Sequence, residues 1–103
     1  MSRYRLHLEA YADLDKIRGY IAQDNPDAAD RLITEIFDAV RALVDSPHIG
    51  HQRPDLTSKP LRFINVREYL IAYAPNLKPL WVVAVIHARR SPRMIAAILR
   101  EQE

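Results

Sequence analysis

At 103 residues, 49% of them apolar and 27% charged, the chain has the size and composition of one globular domain spanning 1–103, which argues against wholesale disorder. Cysteine is absent, which excludes disulfides and thiolate metal sites. No segment approaches the ~18 consecutive apolar residues of a membrane span, and the N-terminus lacks the apolar run of a signal peptide, so a soluble, cytoplasmic protein with no membrane contact is expected.

Arg3 to Leu8 alternates, with Tyr4, Leu6 and Leu8 on one side and Arg3, Arg5 and His7 on the other, which predicts a short strand with one exposed face. From Ala10 the period changes. Tyr11, Leu14, Ile17 and Ile21 recur at helical spacing with charged residues between them. Gly19 inside this helix either costs stability or permits a close approach. Asn25-Pro26 starts a second helix: asparagine accepts from the free amides of the first turn, and proline has no amide to satisfy. Its stripe of Ala29, Ile33, Ile36, Val40, Leu43 and Val44 runs to Asp45, and Ser46-Pro47 ends it. The short link between the helices predicts an antiparallel hairpin.

His48 to Lys59 has no periodicity and reads as a surface crossover. Three strands follow, Leu61–Val66, Tyr69–Ala74 and Leu80–His87, linked at Arg67-Glu68 and Pro75–Pro79 into an antiparallel meander. Ser91-Pro92 then opens a short helix whose apolar side is Ile95, Ile98 and Leu99. The order predicts an α/β (α+β) fold: a four-stranded, mainly antiparallel sheet under an N-terminal helical hairpin, with the first strand beside the last and a short C-terminal helix.

Charge is uneven along the chain. Residues 1–50 carry six Lys or Arg against nine Asp or Glu, whereas residues 51–103 carry nine against four, so the net charge of +2 divides into −3 and +5. The sheet end should therefore be electropositive and suited to an anionic partner. Leu80–Arg93 concentrates this property, because an apolar strand empties into His87, Arg89, Arg90 and Arg93. A phosphate-bearing or acidic protein partner fits such a cluster, and a rim that only aids solubility is the alternative. His48 and His51 flank a glycine without further ligands, so no metal site is expected. With only Gly19 and Gly50, the chain has no glycine-rich loop for nucleotide phosphates. The remaining chemistry open to these residues is metal-free phosphodiester cleavage, with Arg62, Arg67, Arg89 and Arg90 as cations and His87 as a proton-transfer group. The competing reading of His87 is a backbone hydrogen bond that holds the strand end.

Taken in order, Pro47-x-x-Gly50-x-x-Arg53-x-Asp55-Leu56, Leu61-Arg62, Tyr69-Leu70-Ile71-x-Tyr73 and Ile86-His87-x-x-Arg90 resemble the RelE/ParE superfamily of small bacterial toxins from type II toxin–antitoxin modules. The resemblance is greatest to the ParE branch, also described as plasmid-stabilisation proteins, and covers nearly the whole chain. It implies the fold already derived, no cofactor, and a cognate antitoxin from the same operon that wraps the toxin in a hetero-oligomer. It also implies one of two activities. RelE-like toxins enter the ribosome and cut messenger RNA without metal, whereas ParE-like toxins bind DNA gyrase, block replication and arrest growth.

A nuclease of this family would use Arg67 and Arg89 on the scissile phosphate, with His87 and Arg90 beside them. Departures from the nuclease pattern favour the other branch. No tyrosine follows Tyr73, Ala88 stands beside the histidine where some relatives have tyrosine, and Leu70 stands where others have arginine. The first two helices contain only Lys16 in place of a lysine-rich patch. The resemblance thus implies a gyrase-binding toxin with Arg62, Arg67, Arg89, Arg90 and Arg93 as target-binding residues. A ribosome-dependent endoribonuclease and a non-toxic member that keeps only its antitoxin are the alternatives.

Overall fold

A computed structural model describes residues 3–101. The elements follow the order β1 (Tyr4–Leu6), α1 (Leu8–Ala22), α2 (Pro26–Asp45), β2 (Arg62–Val66), β3 (Tyr69–Ala74), β4 (Leu80–His87) and α3 (Pro92–Arg100). The sheet order is β1-β4-β3-β2, with β2-β3-β4 antiparallel and β1 parallel to β4. The expected placement of the first strand beside the last is therefore found.

β1 is shorter than the alternation suggests, because the chain turns at His7, whose N–H still bonds Val82 O at 2.9 Å while its side chain caps α1. Its Nδ1 accepts from the Glu9 N–H at 3.2 Å, and Leu8 is 81% exposed instead of continuing the inward row. The α1 stripe is also shifted. Tyr11 is 54% exposed, and the residues that reach the core are Ala10 and Leu14, with Ile17 and Ile21 at its edge. In α2, Asn25 accepts from Ala28 N–H at 3.1 Å and Pro26 occupies the first turn, as its sequence requires. Leu32 joins Ala29, Ile36, Val40 and Leu43 in the buried row, while Ile33 and Val44 flank it half-buried.

Both faces of the sheet are covered. The hairpin packs Leu14, Leu32, Ile36 and Val40 onto Ile71, Tyr73, Val82 and Val85. On the opposite face, α3 and the crossover place Ile95, Leu99, Leu56 and Leu61 over Phe63, Leu70, Ala84 and Ile86. Arg62 consequently does not lie on an exposed sheet face as its interleaving with Leu61 and Phe63 suggests. It is half-buried, and its guanidinium donates to the Gly50 carbonyl at 2.8 Å.

A bulge in β4 sets the direction of the strand's end. Ala72 pairs with Ala84 but Tyr73 pairs with Val82, so Val83 is an extra residue. Side chains alternate along a strand, and one inserted residue reverses the faces beyond it. Val82 and Val85 therefore both point to the hairpin, and His87 follows Val85 to the same side.

Gly19 makes no close contact: a methyl group there would meet nothing within 4 Å. Its backbone is not in the left-handed region, so it weakens α1 only through its freedom in the unfolded chain. Gly19→Ala should raise stability by about 1 kcal/mol and the melting temperature by roughly 5 °C in a circular-dichroism melt. An unchanged or lower melting temperature would contradict that account.

Candidate functional site

The end of β4 is pinned by its own turn. Ala88 N–H donates to Glu68 O at 2.8 Å, and Arg90 N–H to His87 O at 3.1 Å. Arg89 N–H donates to His87 Nδ1 at 3.0 Å. An accepting Nδ1 carries no proton, so the ring's other nitrogen holds the hydrogen, 3.4 Å from Glu68 Oε2. Tyr69 meets the ring edge-on, with centroids 5.1 Å apart. Nδ1 of His87 thus helps to fix the strand end, while Nε2 faces the exposed Glu68 carboxylate. Ser91 Oγ then accepts from Met94 N–H at 3.2 Å and starts α3, which positions Arg89 and Arg90 on a rigid link between two elements.

Arg67 stands across the sheet end at the β2–β3 turn. Its φ of 53° makes it the one non-glycine residue with positive φ among the described residues. The two-residue link from Val66 to Tyr69 forces this left-handed backbone, which β-carbon sterics disfavour. Its guanidinium grips Glu35 of α2 in a bidentate pair, Nε to Oε2 at 2.5 Å and the terminal nitrogen to Oε1 at 3.1 Å. This hydrogen bond holds the Glu35 carboxyl below its ordinary range and raises the Arg67 guanidinium.

Between the hairpin and this end of the sheet lies a groove of about 770 Å³. Its floor is apolar, including Ile17, Ile21, Leu32 and Val85, and Lys16, Arg31, Arg67, Arg89 and Arg90 line it with positive charge. Glu68 and, on α1, Asp13 are its acidic lining residues. Asp13 Oδ2 accepts the Val85 N–H at 3.0 Å, and burial pushes its carboxyl up, against the lowering by that bond, by Lys16 and by Arg90 and with the raising by Glu9.

Folding therefore favours the protonated form of Asp13. Its contribution to stability is present at acid pH and lost as pH rises through the elevated folded-state value. Asp13→Asn keeps an acceptor and removes the charge. It should melt higher than wild type at pH 7, with the difference closing toward about pH 4. Parallel thermal melts across that range check the sign, and a gap that widens on acidification would contradict it.

Of the residues singled out in sequence, the groove brings together Arg67, His87, Arg89 and Arg90. Arg62 lies apart at the start of β2, and Arg93 is exposed in the first turn of α3, outside the groove. Sequence reasoning missed Asp13, Lys16, Arg31 and Glu35, all of which read as the solvated faces of amphipathic helices. The spacing of Lys16 one turn after Asp13 was visible, but nothing local says that this face meets β4.

The Pro47-x-x-Gly50 segment has a structural task. Tyr73 Oη donates to Pro47 O at 2.7 Å and accepts from Gly50 N–H at 3.0 Å, while Arg62 holds Gly50 O. His51 pairs with Phe63 through two backbone bonds of 2.8 Å, so the crossover is tied to β2. The described residues contain no group of three His, Cys, Asp or Glu able to hold a metal, and no helix among them is long and apolar enough to cross a membrane.

Comparison with known proteins follows the same outline. Residues 4–92 match the family described as ParE toxin of type II toxin-antitoxin system, parDE. A Sinorhizobium fredii protein named "Putative toxin Y4kP" is 35% identical over 98 residues, covering 87% of this chain and 94% of its own length. A structure titled "Chromosomal ParDE TA system from P. aeruginosa" superposes with a TM-score of 0.67 over 85% of this chain and 100% of its own, at 20% identity, a likeness of fold. The match over nearly the whole chain and the identity to this relative place the protein in the ParE toxin family of type II toxin–antitoxin systems.

Proposed function

We propose that this ParE-family toxin arrests growth by binding DNA gyrase, without catalysing a reaction, and that an antitoxin encoded beside it neutralises it. The observation that supports binding over cleavage is the engagement of His87. The proton-transfer candidate is held by Arg89 N–H on one nitrogen and faces Glu68 on the other, while the cations around it surround an apolar floor. Such a groove suits the surface of a protein partner, with charge giving encounter rate and apolar contact giving affinity. Arg67, Arg89 and Arg90 are the target-binding residues at the groove. Arg62 and Arg93 lie outside it and are assigned a lesser part. The parDE family and the ParDE neighbour support the antitoxin, whose helix and strand segments would lie across the grooves of the positive half.

The test is a supercoiling assay with purified gyrase and purified toxin. Inhibition of supercoiling or a stabilised cleavage complex is expected, and neither at large molar excess would defeat the proposal. Codon-positioned cuts in translated messages would instead establish the ribosome-dependent nuclease. His87→Gln keeps size and hydrogen bonding but removes the imidazole that proton transfer would need. The folded variant should retain full toxicity, and its loss would show that proton transfer matters. Co-expression with the adjacent upstream reading frame should yield a tight complex, and separate elution at physiological salt would count against the antitoxin.

A further inference from the structure

By cation content alone, the groove has the electrostatic footprint of a nucleic-acid site, with Lys16, Arg31, Arg67, Arg89 and Arg90 around it. Two of those arginines are already answered by carboxylates of the same chain. Glu35 holds Arg67 through two hydrogen bonds, at 2.5 and 3.1 Å. Glu68 divides its oxygens between His87 Nε2 at 3.4 Å and a terminal nitrogen of Arg89 at 3.7 Å. The backbone fixes where both carboxylates start. Glu68 O accepts the Ala88 N–H at 2.8 Å, and Glu35 adjoins the fully buried Ile36 on α2. Their side chains are 42% and 62% exposed for Glu35 and Glu68, and pairs so open to water add little stability. Support of the fold is therefore a poor account of them.

We propose that Glu35 and Glu68 are specificity-determining residues that keep nucleic acid out of this groove, each holding an arginine that a phosphate would otherwise bind. A phosphate oxygen accepts from the same guanidinium N–H groups as a carboxylate. It must displace the glutamate or lie beside a like charge. At about 5 Å in water-like surroundings, one like charge lowers affinity roughly fourfold. Single-stranded nucleic acid repeats its charge at every nucleotide and so meets both carboxylates. A protein partner brings fewer charges and covers the apolar floor of Ile17, Ile21, Leu32 and Val85, so the same carboxylates oppose it less. The proposal deepens the reading of the groove as a protein-binding surface, but its test uses no gyrase, so the two can fail separately.

The experiment follows the fluorescence anisotropy of labelled oligo(dT), which lacks the 2′-hydroxyl needed for self-cleavage. The proteins are wild type, Glu35→Gln, Glu68→Gln, the double variant and Asp38→Asn. Asp38 pairs with Arg41 outside the groove, so its variant removes an equal charge and an exposed ion pair elsewhere. Each glutamine variant should bind roughly fourfold more tightly than wild type, and the double variant about tenfold or more. The dependence of log affinity on log salt should steepen by about 0.7 for each arginine freed to meet a phosphate. Asp38→Asn should stay near wild type. In an Arg67→Ala background Glu35→Gln frees no arginine, nor does Glu68→Gln in an Arg89→Ala background, so there the steepening should disappear. Glutamine variants that bind no more tightly than Asp38→Asn would overturn the proposal, as would steepening that persists without the paired arginine. Glu35→Ser and Glu68→Ser repeat the test with a second side chain. A glutamate whose two variants both fail to fold is a structural residue, and that result would overturn its assignment.

Discussion

Arg67→Gly is expected to melt at or above the wild-type temperature while losing most growth-arresting activity. The left-handed backbone at this turn costs a residue with a β-carbon about 1–2 kcal/mol, and glycine is free of it. Against that gain stand glycine's greater freedom in the unfolded chain and the pair with Glu35, which is solvent-exposed and hence a weak support. The net result is a melting temperature raised by up to about 5 °C. Activity moves the other way, because the substitution removes a cation of the groove, and losing an arginine bonded to a partner costs about 2–5 kcal/mol of binding. Arg67→Ala separates the two effects, since it keeps the strained backbone and loses the charge. It should lose activity without gaining stability. Growth arrest by Arg67→Gly at the wild-type level, measured at equal protein abundance, would remove Arg67 from the target-binding set. Retained strain in a residue that glycine could replace is the reason to look for function there.

Gly50→Ala should destabilise the protein by about 1–3 kcal/mol, a fall of roughly 10 °C in melting temperature, through crowding and not through backbone strain. Gly50 has no positive φ, so alanine could adopt its backbone. The added carbon would lie 2.5 Å from Tyr73 Oη and 2.9 Å from Phe63 O. Tyr73 cannot retreat, because its side chain is fully buried and its hydroxyl is committed to Pro47 O and Gly50 N–H. Tyr73→Phe removes that hydroxyl, leaves two backbone groups without it, and should cost about 1–3 kcal/mol. The double variant should be less unstable than the two losses added together, because phenylalanine also removes the nearest clash. Denaturant titrations of the four proteins give the coupling. Strict additivity would show that the hydroxyl is not what excludes a side chain at position 50.

Arg53, in the same motif, holds Asp55 in a bidentate pair at 3.0 and 2.8 Å, which lowers the Asp55 carboxyl. Much of the family resemblance in the crossover is therefore legible as loop construction.

The element order, the hairpin and the meander were determined by the sequence itself. Asn25-Pro26 and Ser91-Pro92 start helices through local hydrogen bonding and a fixed proline φ, while Tyr69–Ala74 and Leu80–His87 form strands because their apolar runs require burial on two faces. These are short-range causes. The cationic end of β4 was visible for the same reason, since Arg89 and Arg90 adjoin the strand in the chain. What tertiary structure alone decided is where those groups point and what they meet. The bulge at Val83 turns His87 toward the hairpin, because one extra residue reverses every following face. Asp13 reaches a backbone N–H 72 residues away, and Arg67 finds Glu35 32 residues back. Lys16 and Arg31 join the groove although their own segment is net acidic. No local period encodes these meetings. They arise when the hairpin's apolar stripe seats on the sheet and carries its flanking charges into place.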